Sequence, residues 1–316
     1  MSEPPWVGVL GARSLVGRHL LPLVTRPARV LAVSRSRITP AEHPRLTWVV
    51  PGAPLPAAAP LPVWIALCPI WSVAEHLPWL ESLGIRRLVA LSSMSIATKT
   101  TSPAAEERRL AARLAAAEDG LLAWADSRDV GLTILRPTMI YDGLHDRNVA
   151  AIAACVRRYR WFPLCGEAAG LRQPVHAGDV AAACLAAIEH DPPRRSYTLS
   201  GGESLPFREL VERTCRAHGL PPRTARLPPW LWQTLATVAE RLGLTKGGSA
   251  AGIGRRMNED LSAAHTEAAH DLGFVPRPFF PGGGGRAAAT GLAPSVAAET
   301  VSPAVHFDVH RPPHAP

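Results

Sequence analysis

The sequence predicts an α/β fold: a doubly wound parallel sheet with a smaller C-terminal substrate-binding portion. Three observations predict it. Short apolar runs alternate with amphipathic helical stretches from residue 7 to residue 135, the order that sets parallel strands side by side through crossover segments. The run VWIAL (63–67) is continuously apolar, as a strand covered on both faces should be, and RLVAL (87–91) reads as the next buried strand. The first run ends in a glycine-bearing turn that opens a helix, VGVLGARSLVGRHL (7–20).

In that opening stretch Gly11 and Gly17 bracket Ala12, Arg13, Ser14, Leu15 and Val16. The spacing lets the chain leave a strand tightly and present helix-start amides to a phosphate. The strict dinucleotide pattern would place a third glycine where this chain has Ser14, so a tight turn that binds nothing is the alternative. A helix is expected from Val16 to Thr25, then a strand over RVLAVS (29–34). In a dinucleotide fold the end of that strand reaches the adenosine ribose, where an acidic residue would accept from the 2′-OH. Here stand Ser34, Arg35, Ser36 and Arg37. Arginine cannot accept those bonds but pairs with a 2′-phosphate, and Arg13 can join it, which favours NADP over NAD; solvated arginines are the alternative.

LTWVV (46–50) reads as a short third strand, followed by a proline-rich connector in place of a crossover helix. A helix is expected over Ser72–Leu83, ending at Gly84. The strand RLVAL runs into Ser92, Ser93, Met94 and Ser95, hydroxyls at the carboxyl end of a central strand, where open α/β sheets bind ligands. Ser102 and Pro103 read as N-cap and first residue of a long helix to about Ser127, with an apolar stripe of Leu110, Leu114, Ala117, Leu121 and Trp124. VGLTIL (130–135) is the next strand, stopped by Arg136 and Pro137, and a helix is expected over Val149–Tyr159. Asp179 reads as N-cap of an alanine-rich helix, Tyr197–Ser200 as a strand and Pro206–His218 as an amphipathic helix. Leu227–Leu244 fits a packed lid better than a membrane-surface helix because it holds little basic charge.

Length and composition bound the function. With 316 residues, 47% hydrophobic, and a mean hydropathy of +0.05, the chain can bury a full core. The expected organisation is a dinucleotide-binding domain over 1–170 with elements returning from the C-terminal half, a substrate-binding region over 171–280, and a disordered tail over 281–316. Five scattered cysteines form no CxxC pair, so neither a disulfide framework nor a metal site is expected. No apolar run reaches the roughly 18 residues of a membrane span, and the N-terminus lacks a secretory pattern, so a cytoplasmic location is expected. The formal charge of +8 is almost entirely arginine and shows no basic run interleaved with aromatics, so no nucleic-acid partner is expected.

Several pieces coincide in order: GARSLVGRHL, LSS (91–93), LRP with IY (135–141), RQPVHAGDVA (172–181) and YTLSGGE (197–203). Together they resemble the extended short-chain dehydrogenase/reductase superfamily, in its NAD-dependent epimerase/dehydratase, nucleotide-sugar branch. The resemblance covers about Val7 to Phe279. It implies a Rossmann-type domain holding NAD or NADP, and a small-molecule substrate that is a nucleotide-linked sugar; a homodimer stays open. It implies that Gly11, Arg13, Ser14, Leu15, Val16 and Gly17 surround the pyrophosphate, with Arg35 at the ribose. Leu67, Cys68, Ser92 and Pro137 line the remainder of the cofactor. Arg172 matches an arginine that pairs with the substrate diphosphate in several relatives, while His176 is expected as a packing residue.

One departure bears on catalysis. The family uses a tyrosine and a lysine four residues later on the long helix, the lysine lowering the phenol pKa for proton exchange. Setting Glu118 at the acidic position that follows the pair puts Leu110 and Leu114 in the two places; the adjacent register offers Arg109 and Arg113. Only Ser93, Ser95 and Lys99 offer themselves as substitutes. Three readings follow: an oxidoreductase or epimerase with an atypical active site, a non-catalytic NAD(P)-binding sensor or assembly protein, or a fold relic whose cofactor site is empty.

Overall fold

The computed structural model describes residues 5–35, 43–53, 60–189, 195–241 and 250–280. Arg37 and the tail 281–316 lie outside the described residues. The chain divides into two compact units that interleave along the sequence: 1–145, 173–203 and 262–279 in the first, 146–172, 204–261 and 280–316 in the second. The stretch 146–172 falls in the second unit, and 173–203 returns to the first.

The first unit is built on seven parallel strands. They are β1 (Trp6–Leu10), β2 (Arg29–Val33), β3 (Leu46–Val49), β4 (Val63–Ala66), β5 (Arg87–Leu91), β6 (Gly131–Pro137) and β7 (Ser196–Leu199). Their order across the sheet is β3-β2-β1-β4-β5-β6-β7, every neighbouring pair parallel. The order reverses between β1 and β4, so the glycine turn after β1 emerges where a doubly wound sheet opens a crevice. Successive strand residues serve opposite faces. Val9, Ile65 and Val89 pack with Val16, Leu20 and Val24 of helix α1 (Leu15–Val24); Leu10, Trp64 and Leu88 join the cluster on the other face. The continuous apolar runs are thereby explained: both faces are covered, as the sequence predicts.

On that second face lie α2 (Leu77–Ser82) and α4 (Ala105–Arg128), after the short α3 (Ser95–Thr98). Pro78 breaks the helix expected over 72–83, since it offers no N–H to the residue four before it. Two single 3-10 turns, Ile70–Ser72 and Ala74–His76, precede α2 instead. The start of α4 also moves: its first helical residue is Ala105, and Ser102 Oγ accepts from the Ala104 N–H at 3.2 Å while donating to Glu107 at 2.5 Å. Helix α6 (Ala177–Glu189) shares the first face with α1. Asp179 lies inside its first turn, so the cap assigned to it is corrected. The backbone turns helical two residues earlier, and the carboxylate instead accepts from the Arg277 N–H at 3.0 Å and from its guanidinium at 2.8 Å.

The second unit holds α5 (Val149–Tyr159), α7 (Phe207–Ala217), α8 (Pro229–Arg241) and α9 (Ala250–Arg256), while α10 (Thr266–Leu272) belongs to the first. A strand not foreseen in the sequence, Phe162–Cys165, pairs in parallel with Thr224–Leu227. Asp146 starts α5 by accepting from the amides of Asn148, Val149 and Ala150. Of the 227–244 segment, Leu227 ends the strand Thr224–Leu227 and helix α8 takes Pro229–Arg241, leaving Trp230, Leu235 and Val238 exposed. No helix among the described residues is long and apolar enough to cross a membrane.

Candidate functional site

The carboxyl ends of β1, β2 and β4 close around the glycine turn. Leu67 donates its N–H to the Leu10 carbonyl at 2.9 Å, and Ser34 donates to Val49 at 3.0 Å, which fixes the strand ends side by side. Gly11 has φ +69°, and a Cβ there would lie 2.7 Å from the Cys68 nitrogen and 2.9 Å from the Leu67 carbonyl carbon. Only glycine fits, because the left-handed conformation and the adjacent backbone act together. At Gly17 a Cβ would meet the Ala12 carbonyl oxygen at 2.2 Å, so α1 can rise directly out of the turn. Such a cradle matches what a pyrophosphate requires, close backbone approach at a helix start.

Ser14 accounts for the missing third glycine. Its backbone is extended, φ −61° and ψ 167°, a conformation open to any residue, and its Oγ accepts from the Gly17 N–H at 3.1 Å. The substituted side chain therefore caps α1, and the amides of Leu15 and Val16 are those a helix start leaves to an anion. Arg13 and Arg35 are exposed on the same turn and strand end. Cys68 is partly buried; burial pushes its thiol up, against a hydrogen bond from Ser72 and the charge of Arg35. The residues assigned to the pyrophosphate and adenosine ribose are thus brought together.

The region expected to face a nicotinamide is more occupied. Ser92 donates its N–H to Leu135 at 2.8 Å, and Met94 donates to the Pro137 carbonyl at 3.0 Å, tying the ends of β5 and β6. Ser93 Oγ accepts from the Ser95 N–H at 3.1 Å, starting α3. Lys99 Nζ stands 3.8 Å from a carboxylate oxygen of Glu107. The three candidate catalytic side chains lie close in sequence and in local structure, two of them engaged in holding α3 and the start of α4. The long helix offers no phenol: Leu114 is buried, and Leu110 packs against the same apolar cluster. In the other register Arg109 is exposed, and the Arg113 guanidinium lies 4.3 Å from the Trp71 ring centre. Of the three tyrosines in the sequence, Tyr141 is buried, Tyr197 donates its hydroxyl to Asp271 at 2.9 Å, and Tyr159 is in the second unit.

Sequence reasoning missed the polar centre beneath this region. Glu118 is 2% exposed in the middle of α4, its carboxylate accepting from Ser92 Oγ at 2.5 Å and from Arg136 Nε at 3.0 Å, with the Arg136 Nη2 also in contact. One carboxylate thereby links α4 to the ends of β5 and β6. The signal was available, since Glu118 interrupts the stripe Leu114, Leu121, Ala125, and a carboxylate in an apolar stripe requires a cation.

His176 packs edge-on against the rings of His19 and Tyr141, each with centres 5.2 Å away, and its Nδ1 accepts from the Gly178 N–H at 3.0 Å. Burial first, then the charges of Arg277 and His19, hold its pKa down at about 4. The ring is thus neutral in the native state near pH 7. Because the unfolded chain protonates near 6.5 and the native one near 4, stability holds above pH 6.5 and falls as pH is lowered between those values. Titration of the His176 ring proton by NMR should give a midpoint near 4; a midpoint of 6 or above would contradict the packing role.

Arg172 is 6% exposed in the second unit, where its guanidinium donates to the carbonyls of Leu171 and Glu259, each at 2.7 Å, and to that of Arg256. Burial foremost lowers its pKa to about 10. This arginine ties the strand Leu171–Arg172 to the segment after α9. No group of three or more metal-ligating side chains that could hold an ion occurs among the described residues.

Comparison with known proteins bears on this arrangement. Residues 73–200 match the NAD dependent epimerase/dehydratase family, the stretch that holds LSS, LRP and RQPVHAGDVA. The glycine turn lies before the matched residues, so its reading stands on its own geometry. Among curated proteins, NADH dehydrogenase [ubiquinone] 1 alpha subcomplex subunit 9, mitochondrial, of Arabidopsis thaliana is 34% identical over 135 residues, 42% of this chain. The match spans only 31% of that relative's length. Among solved structures, the UDP-glucuronic acid 4-epimerase of Bacillus cereus in complex with NAD superposes with a TM-score of 0.61 at 11% identity, covering 86% of this chain and 91% of that one. The RMD structure of Pseudomonas aeruginosa complexed with NADPH gives 0.55 at 15% identity, over 86% and 93%. At these identities the likeness is one of fold, and the fold is the one the sequence predicts.

Proposed function

We propose that this chain, with residues 73–200 matching the NAD dependent epimerase/dehydratase family, binds NADP in preference to NAD and holds it without the proton relay that the family's tyrosine and lysine supply. One observation carries the reading. The turn keeps its glycine geometry at Gly11 and Gly17 with Ser14 capping the helix, while neither register of the long helix offers a phenol and lysine: Leu110 and Leu114 pack into the apolar layer, and Arg109 and Arg113 stand in the adjacent register. In that arrangement Gly11 and Gly17 admit the pyrophosphate, the amides of Leu15 and Val16 donate to it, and Arg35 with Arg13 pairs with the 2′-phosphate. The cofactor, when bound, supplies hydride chemistry at its nicotinamide. The residues at Ser92 and Pro137 shape the wall beside it.

The function best supported is therefore an NAD(P)-binding sensor or assembly protein. The second reading is an oxidoreductase or epimerase on a nucleotide-sugar-like substrate, favoured by neighbours such as the UDP-glucuronic acid 4-epimerase. It assigns proton transfer to Ser93, Ser95 or Lys99, and the substrate diphosphate to Arg172 after its guanidinium gives up a carbonyl partner. Serine is a poor acid at neutral pH without a polarising neighbour, which is why this reading ranks second.

Titration with NADPH and NADH, followed by nicotinamide fluorescence, tests the binding claim; no saturable change with either removes it. Arg35→Asp should weaken NADPH roughly thirtyfold while leaving NADH within about threefold, the difference expected of a lost charge-assisted bond. Equal effects would move the 2′-phosphate contact elsewhere. Incubation of the NADP-loaded protein with UDP-sugars separates the two readings, since any isomerised sugar or cofactor redox change establishes catalysis.

A further inference from the structure

We propose that the corner of the second unit formed by Arg157–Trp161 and Arg223 docks on the surface of an anionic phospholipid bilayer. The corner begins as the end of α5, where RRYRW (157–161) follows the last buried turn; it is a short basic run interleaved with aromatics, which corrects the expectation that the sequence holds none. Arg160 takes φ +69° and turns the chain into the strand Phe162–Cys165, leaving Tyr159 60% and Trp161 41% exposed. The Phe162 N–H donates to the Arg223 carbonyl at 2.8 Å, which brings a fourth arginine to the same end of the two-stranded ribbon.

Charge points to an anionic partner. Among the described residues no carboxylate pairs with Arg157, Arg158, Arg160 or Arg223, although other arginines of the unit, such as Arg213, Arg216, Arg226 and Arg255, do have partners. Over its described residues this unit has 13 basic and seven acidic side chains, a formal +6. Cations at a helix C-terminus offset the carbonyl dipoles, which explains Arg157 and Arg158 locally. It does not explain two large aromatic rings left in solvent beside them.

The aromatics select the partner. Trp and Tyr are favoured at the headgroup layer, where an apolar ring and a polar tip are both satisfied, and arginine pairs there with lipid phosphates. The Arg158 guanidinium lies over the Tyr159 ring, 5.9 Å from its centre, so that face is covered by a cation and is not an open stacking platform for a base. Five consecutive residues, Arg157–Trp161, with Arg223 on the neighbouring segment, suit a surface contact, with no insertion across the membrane.

Flotation of the purified full-length protein with vesicles tests this. Vesicles of phosphatidylcholine mixed with phosphatidylglycerol should carry the protein upward; vesicles of phosphatidylcholine alone should not, and added salt should release it. The variant Arg157→Gln, Arg158→Gln, Arg160→Gly should lose on the order of a hundredfold in partition, with glycine at 160 relieving the left-handed backbone. Because that variant alters a helix end, Trp161→Ala and Tyr159→Ala are tested beside it and should each lower partition several-fold with an unchanged circular dichroism spectrum. Equal binding to both vesicle types, wild-type partition by all three variants, or saturable binding of an oligonucleotide without vesicle binding would each overturn the proposal.

Discussion

Glu118→Ala should lower the unfolding free energy by about 3 kcal/mol, read as a reduced midpoint in urea at unchanged slope. The carboxylate is 2% exposed and the Arg136 side chain 30%, so removal of the acid leaves a cation that reaches water only in part. Ser92 also loses its acceptor, a smaller loss of about 1 kcal/mol. The lower end of the usual range for breaking a buried pair is expected because Arg136 is partly solvated. Glu118→Leu with Arg136→Met should recover much of the loss, since replacing both ions by apolar chains leaves neither unpaired. A change below about 1 kcal/mol in Glu118→Ala would show that the pair does not hold α4 to the sheet.

Gly11→Val is expected to weaken NADPH binding by about a hundredfold or more, because the branched side chain meets the Leu67–Cys68 backbone at φ +69°. The left-handed conformation alone costs about 1–3 kcal/mol in a non-glycine residue, and the clash shifts the turn that presents the amides. Stability falls as well, so the binding titration is paired with a melting curve to confirm a folded population. Ser14→Ala provides the milder control: it removes the cap on Gly17 and should cost about 1 kcal/mol of stability, with binding retained. Wild-type NADPH affinity in a folded Gly11→Val protein would place the cofactor away from this turn.

The sheet was legible in the sequence because it is written in a strong code. A run such as VWIAL is apolar at every position only when both faces of the strand are covered, and the turn at Gly11 marks the end of the first strand. The helix start at Asp179 was misplaced because a carboxylate near a helix N-terminus signals a cap whether or not it makes one. Its true partner, Arg277, lies 98 residues away, beyond any local pattern. The strand Phe162–Cys165 escaped for a different reason, since a four-residue element containing Pro163 has no periodicity to read until Thr224–Leu227 pairs with it. Glu118 was visible as an anomaly but was read as an alignment marker. The cofactor turn could be found because its chemistry is backbone geometry, which glycine spells out; the wall beyond Ser92 could not, because its hydroxyls are distinguished only by what they bind.

The way the two units share the chain has a consequence during synthesis. Strand β6 is complete at Pro137, yet its outer neighbour β7 lies beyond the whole of the 146–172 segment. As the chain emerges from the ribosome, six strands can assemble while one side of β6 still shows bare amides and carbonyls. An exposed strand edge of that kind invites pairing with another nascent chain. When Ser196–Leu199 arrives, the edge passes from the seven residues of β6 to the four of β7, and a shorter edge offers less to pair with; a fragment stopped at residue 145 keeps the longer one.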